Sequence, residues 1–266
     1  IILYDLYPDI LVHTKTLPKL SFLVRFWKYM NKLVYEKADK LVVLNELMKN
    51  KILSTYKDLN EDKISVIYSW VDPNKIKPIP KDENYFIREK NLKNKFIVLY
   101  SGNFGRCHDI EIIQECVNNL KNHKDILFLF IGSGPRLPSL KLYCKGNNLN
   151  NVIFLPSQPL SILPYSLTSA DLALVTQLES TDGIIAPSKL YAHLAASTPI
   201  AGVSSSTSYL NKIINENNFG KCFRNGDSLG LSNWIRYLKN NPDETLKLGK
   251  CGRDYLLKTS TPEIIT

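Results

Sequence analysis

Acidic residues are scarce in this 266-residue chain: 25 aspartates and glutamates stand against 34 lysines and arginines, leaving a formal net charge of +9. A basic surplus points to an anionic partner such as a nucleotide, a nucleic acid or an anionic lipid surface. Many of the lysines fall on helix faces, where solvation alone explains them. Cysteine is sparse as well, with Cys107, Cys116, Cys144, Cys222 and Cys251 far apart, odd in number and without a CxxC pair. That pattern argues against a disulfide framework and a zinc site, and it fits a reducing compartment. No apolar run approaches the ~20 residues of a membrane-spanning helix. Neither a methionine nor a signal peptide precedes Ile1-Ile2-Leu3-Tyr4-Asp5, which reads as a buried strand. A core strand at residue 1 leads us to expect that an N-terminal portion is missing. The GxGxxG dinucleotide fingerprint is absent, as are internal repeats and low-complexity tracts. No carboxylate pair stands at a spacing that suggests glycoside hydrolysis. His108 and His193 lack an acid or cysteine at motif spacing and read as packing or surface histidines.

What is present is ordinary in amount and regular in order. Hydrophobic residues make up 44% and charged residues 22%, enough for one large or two ordinary domains with proper cores. Apolar strand patterns over 1–5, 40–44 and 64–68 alternate with helical ones over 20–37 and 46–54. From residue 92 the alternation becomes strict. Strands are expected over 96–101, 126–131, 152–155, 171–176, 200–203 and 221–223, with helix-length segments between them. Asp109 and Asp227 stand as N-caps, and Gly220 as the close of a helix over 208–217. Strands separated by helices mean an α/β fold with a parallel, doubly wound sheet. Three prolines within 69–80 mark a linker region. The division expected is 1–75, a linker over 76–91, and 92–266. In the helix over 20–37, Phe22, Phe26, Tyr29 and Leu33 share the face expected to be buried. Arg25, Lys28 and Lys32 form a basic stripe that suits either solvent or a membrane surface.

Three loops at the carboxyl ends of strands carry the candidate chemistry. Gly102-Asn103-Phe104-Gly105-Arg106 follows the first strand of the regular part. Its glycines allow close backbone approach to a phosphate, and Arg106 can pair with one bidentately. Gly132-Ser133-Gly134-Pro135 follows the next strand, where turn-making alone also explains the glycines. The third is a loop over 177–187 leading into Pro187-Ser188-Lys189-Leu190-Tyr191. There Ser188 is the expected N-cap of a short helix, and Lys189 joins the helix N-terminus in facing an anion, most simply a phosphate or diphosphate. Tyr191 reads equally as a core aromatic or a cleft-facing hydroxyl.

In order and spacing, Tyr68-Ser69-Trp70-Val71-Asp72, Tyr100–Arg106, Phe130–Pro135, Ser169-Ala170-Asp171-Leu172 and Pro187–Tyr191 resemble the GT-B glycosyltransferases of family 4. These are the "glycosyl transferases group 1", and the likeness is greatest to members of surface-polysaccharide clusters. The resemblance implies two Rossmann-like domains facing a cleft, the N-terminal one incomplete here, with a nucleotide-sugar donor held by the second. It implies sugar transfer to a glycan or lipid-linked glycan with retention, usually without a metal, and no cofactor or nucleic acid is expected. The implied setting is cytoplasmic, with peripheral membrane contact open. Carried over, Gly105 and Arg106 would meet the donor diphosphate from one side, and Ser188 and Lys189 from the other. Gly102, Asn103, Phe104 and Gly134 would complete the donor pocket, Asp182, Gly183 and Ile184 would touch the donor sugar, and Tyr191 would stand nearby. The family's paired glutamates, E-x7-E, are absent, with Gly183 and Tyr191 in their places. A GT-B nucleotide-sugar 2-epimerase and a non-catalytic nucleotide-sugar-binding subunit remain alternatives.

Overall fold

The strands after residue 92 are apolar on both sides, the pattern a parallel strand needs when helices cover both faces of its sheet. The computed structural model describes residues 1–265 and realises that pattern in a six-stranded sheet. Before it lies a smaller sheet of β1 (Ile2–Leu3), β2 (Leu41–Val43) and β3 (Ile64–Val66), paired in that order and parallel. Its helices are α1 (Asp9–His13), α2 (Phe22–Lys37) and α3 (Glu46–Thr55), and α4 (Tyr85–Glu89) follows. The larger sheet holds β4 (Phe96–Asn103), β5 (Ile126–Ser133), β6 (Val152–Leu155), β7 (Leu172–Thr176), β8 (Ile200–Val203) and β9 (Gly220–Phe223). Around it lie α5 (Ile110–Asn119), α6 (Leu137–Gly146), α7 (Leu163–Leu167), α8 (Lys189–Ala195), α9 (Tyr209–Asn217), α10 (Ser228–Asn240), α11 (Pro242–Thr259) and α12 (Pro262–Ile265).

The strand order in the larger sheet is β6-β5-β4-β7-β8-β9, all parallel. The chain builds outward from β4 in one direction and then restarts beside it with β7. That reversal opens a crevice at the carboxyl ends of β4 and β7, where doubly wound sheets bind ligands. Alternate residues of one strand feed two separate cores. Ile97, Leu99, Leu129 and Val175 pack on one face, and Val98, Tyr100, Phe128, Phe130 and Leu174 on the other.

The caps explain several helix starts. Asp109 Oδ1 accepts from the Ile112 amide at 3.0 Å, and Asp227 Oδ1 from the Gly230 amide at 2.9 Å, as their types suggest. Gly220 does not close α9. Asn218 does so in the left-handed conformation, at φ 51°, and Gly220 begins β9. Within 76–91 the chain is more than a connector, because Phe86 and Ile87 of α4 are buried in the larger sheet's core.

Helix α2 departs most from its expected packing. Phe22, Phe26 and Tyr29 are 79%, 52% and 58% exposed, and the residues it buries are Val24 and Tyr35 on the opposite side. Of the basic stripe, Arg25 is exposed, and Lys28 and Lys32 are tied to carboxylates of other segments, the Lys32 pair at the surface. Lys28 pairs with Asp9 at 2.9 Å and Lys32 with Asp58 at 2.8 Å.

The two units meet through the loop that follows β7. Ile184 and Ile185 belong to the small unit's core with Leu6, Leu41, Val43 and Met48. The Leu6 amide donates to the Ile184 carbonyl at 2.9 Å, and Asp5 forms an antiparallel bridge with Ile185.

Candidate functional site

A cavity of about 720 Å³ occupies the crevice at the switch point, a size that suits a nucleotide-sugar rather than a single ion. Its large-unit wall includes Gly102, Asn103, Gly105, Arg106, Ser188 and Lys189, and its small-unit wall includes Asp5, Tyr7, Leu11, Thr14 and Thr16. A basic recess carrying His13, Lys15, Arg106 and Arg136 adjoins it.

Lys189 is the centre of this arrangement. Its ammonium donates to the Asn103 carbonyl at 2.8 Å, the Tyr100 hydroxyl at 3.0 Å and His108 Nε2 at 2.9 Å. It also lies 4.8 Å from the Tyr100 ring centroid, within cation–π range. The His108 tautomer follows from its other partner. Nδ1 lies 2.6 Å from the Thr176 carbonyl, which can only accept, so Nδ1 carries the hydrogen and Nε2 offers a lone pair to Lys189. All three partners are neutral, and no carboxylate pairs with the ammonium. Burial therefore lowers the Lys189 pKa to about 7. Burial first, and the neighbouring Lys189 charge second, lower His108 to about 4 and keep it a neutral acceptor.

Gly102 makes this placement possible. It sits at φ +122°, and a Cβ there would lie 2.8 Å from the Lys189 side chain. Gly134, at φ +144°, lies so close to the Phe104 carbonyl that a Cβ would come within 2.6 Å, so it supports the loop rather than lining the cavity. Arg106 lies across the opening, where its guanidinium donates to Thr16 Oγ1 of the other wall at 3.3 Å.

Several expected positions fall elsewhere. Phe104 is buried against Tyr100 and Phe130. Tyr191 is the core aromatic of its two readings, buried beneath α8 with its hydroxyl 3.0 Å from that of Tyr209. Asp182 accepts from Gln177 Nε2 at 3.0 Å and from the Ser205 hydroxyl, which braces the loop, and burial raises its pKa. Gly183 packs against Leu47, and Ile184 is inside the small core. None of these lines the cavity. Ser188 lines it, yet its hydroxyl caps nothing and its own amide is bonded to the Ala186 carbonyl at 2.9 Å. The cationic side chains, rather than a free ring of helix amides, are therefore the principal anion-facing groups.

The sequence did not place His108 and Asp5 beside the cavity, which both of them line. The separation of His108 from Lys189 hides their contact, although its place just after the Gly-rich loop was a usable signal. Asp5 was read only as part of a strand.

Residues 82–255 match the family described as glycosyl transferases group 1. The chain belongs to that family. The glycosyl transferases group 1 relatives include the probable glycosyltransferase WbjE of Pseudomonas aeruginosa, 30% identical over 240 residues. That match covers 88% of this chain and 58% of WbjE, so the chain spans little more than half of that relative's length. Among solved structures, Anabaena Alr3699/HepE in complex with UDP-glucose superposes with a TM-score of 0.80 at 13% identity, covering 99% of this chain and 68% of that one. WaaG, a glycosyltransferase involved in lipopolysaccharide biosynthesis, superposes with a TM-score of 0.75 at 15% identity, covering 99% of this chain and 71% of its own. The fold is GT-B, with the cavity between its two α/β units.

Proposed function

We propose that this chain carries the donor site of a glycosyltransferase that moves a sugar from a nucleoside-diphosphate donor to a hydroxyl of a glycan or lipid-linked glycan. On this reading the reaction retains the anomeric configuration and contributes to a surface polysaccharide. Residues 1–75 form the acceptor side and 92–266 the donor side, joined by 76–91. The observation that carries the reading is Lys189, a largely buried cation whose partners are all neutral, facing a switch-point cavity with Arg106 across its mouth. A cation kept from water without a counter-charge is stabilised when an anionic ligand arrives. Departure of the nucleotide would place negative charge on the diphosphate, and Arg106 and Lys189 are positioned to stabilise it.

The relatives support the reading: HepE is described in complex with UDP-glucose, and WaaG with lipopolysaccharide biosynthesis. None of the described helices is long and apolar enough to cross a membrane. We place the protein at the cytoplasmic face of a membrane, with the exposed apolar side of α2 towards lipid. In the full-length protein, Arg106→Ala and Lys189→Ala should each lower kcat by ~10²-fold or more. Rates within twofold of the parent would remove both residues from the reaction. Donor consumed without acceptor and returned as an altered nucleotide-sugar would indicate an epimerase, and tight binding without turnover a binding subunit.

A further inference from the structure

We infer that the basic recess beside the cavity is a second anion site, separate from the donor's, which holds the phosphate of a lipid-linked acceptor. The inference rests on the transferase reading above and names the acceptor's chemistry. The recess has a volume of about 530 Å³ and is walled by both units. His13, Thr14 and Lys15 come from the small unit, and Arg106, Pro135 and Arg136 from the large one. Thr14, Arg106 and Pro135 also line the main cavity, so the two spaces are continuous. The Thr14 and Thr16 hydroxyls lie 3.1 Å apart, and Arg106 donates to Thr16, which fixes the rim they share.

The charge of the recess is more than a donor requires. A nucleoside diphosphate would meet Lys189 and Arg106 in the main cavity, and Lys15 and Arg136 stand beyond them. No carboxylate lines the recess among the described residues. Arg136 pairs with Glu111, which lies outside the lining, while Lys15 is exposed and has no ion pair among the described residues. Burial first, and the Lys51 charge second, lower the His13 pKa, so His13 enters the recess as a neutral hydrogen-bonding group. Cations without an acid among them suit a phosphate. What lies beside them says which phosphate. Leu20 and Phe22 are 86% and 79% exposed, and Phe22 stacks on Phe26 at 6.2 Å along the apolar side of α2. Leu20 follows Lys15 by five positions in the chain, a reach of at most ~18 Å. A lipid-linked sugar presents tail, phosphate and sugar in that order. The face of α2, the recess and the cavity offer apolar surface, cations and a sugar site in the same order. A soluble, neutral glycan would leave the cations and the rings without a partner.

The test titrates the full-length protein, saturated with UDP, with pyrophosphate and with farnesyl diphosphate. The parent should bind both without releasing UDP, and farnesyl diphosphate at least ~10-fold more tightly, because its chain gains apolar surface. Lys15→Asn combined with Arg136→Gln should weaken both at least ~10-fold and leave UDP affinity within about threefold of the parent. Asparagine is chosen because Lys15 holds a left-handed backbone at φ 55°, which that residue tolerates. A UDP-loaded parent that binds neither probe overturns the inference. So does parental pyrophosphate affinity in the double variant. A parallel loss of UDP affinity in a folded double variant overturns it too, since the recess would then belong to the donor site. If the double variant does not fold, Lys15→Asn alone decides: it should weaken pyrophosphate about two- to fivefold, and parental affinity overturns the site. Equal affinity for the two probes overturns the lipid link and with it the acceptor class. A parent that holds both anions but consumes no UDP-, GDP- or ADP-linked sugar beside native membrane lipids overturns the transferase reading and leaves the anion site standing.

Discussion

At the scale of single residues, the cost of keeping Lys189 dry is measurable. Its pKa is held near 7 in the folded protein, while in the unfolded chain a lysine titrates near ~10.4. Between these values the unfolded state binds more protons, so stability rises with pH across that window. The full penalty is present below about pH 7. Lys189→Met removes the titration, and without nucleotide the variant should gain in Tm relative to the parent at pH 6, the gain shrinking by pH 10. His108, already neutral above about pH 4, does not titrate in that window. A difference in Tm that stays constant from pH 6 to 10 would mean the ammonium is hydrated after all. Gly102 offers a second test. Ala at φ +122° is strained by ~1–3 kcal/mol and collides with the Lys189 side chain, so Gly102→Ala should lower both Tm and UDP affinity. Parental affinity in calorimetry would show that Lys189 has another resting place. Arg106, Ser188 and Lys189 were legible as cavity residues because strand-end loops gather functional groups. Phe104 and Tyr191 were not separable from them, since burial depends on which way a side chain leaves a loop or helix, and periodicity over a few residues does not determine that.

At the scale of elements, α2 has its polar and apolar sides where its sequence puts them, but the apolar side is the exposed one. Helical spacing reveals that a face exists, and only the neighbours decide what covers it. Here Lys28 and Lys32 are drawn towards Asp9 and Asp58, residues of other segments that the helix pattern alone does not show. The membrane test therefore shifts from the charges to the rings. In the full-length protein, Phe22→Ser combined with Phe26→Ser should weaken sedimentation with anionic vesicles at least tenfold, each ring contributing ~1.5–3 kcal/mol when buried. Unchanged sedimentation would leave that face to another partner. Lys28→Gln should instead lower Tm, because the Asp9 carboxylate it pairs with is largely buried.

At the scale of the whole molecule, a parallel, doubly wound sheet with its ligand site at the strand ends followed from the rhythm of strands and helices, the strand order did not, and the ordered motifs pointed to the family. The union of the units was not legible. Nothing local in Asp182-Gly183-Ile184-Ile185 reveals that its isoleucines complete another unit's core. One prediction belongs to this scale. Residues 1–266 contain both sides of the cavity, so they should bind UDP, GDP or ADP in calorimetry, with affinity that falls as salt is raised. The absence of heat with all three would remove the donor site from this crevice.

Ile184 and Ile185 are seated in the small unit, and the chain runs directly from them through Pro187 into Lys189. In mechanical terms that stretch is a tie rod between the two halves. A hinge motion that widened the cleft would pull on the rod and draw the lysine with the small unit's wall. On the proposed reading, the grip on the donor and the approach of the acceptor would thus be geared to one displacement.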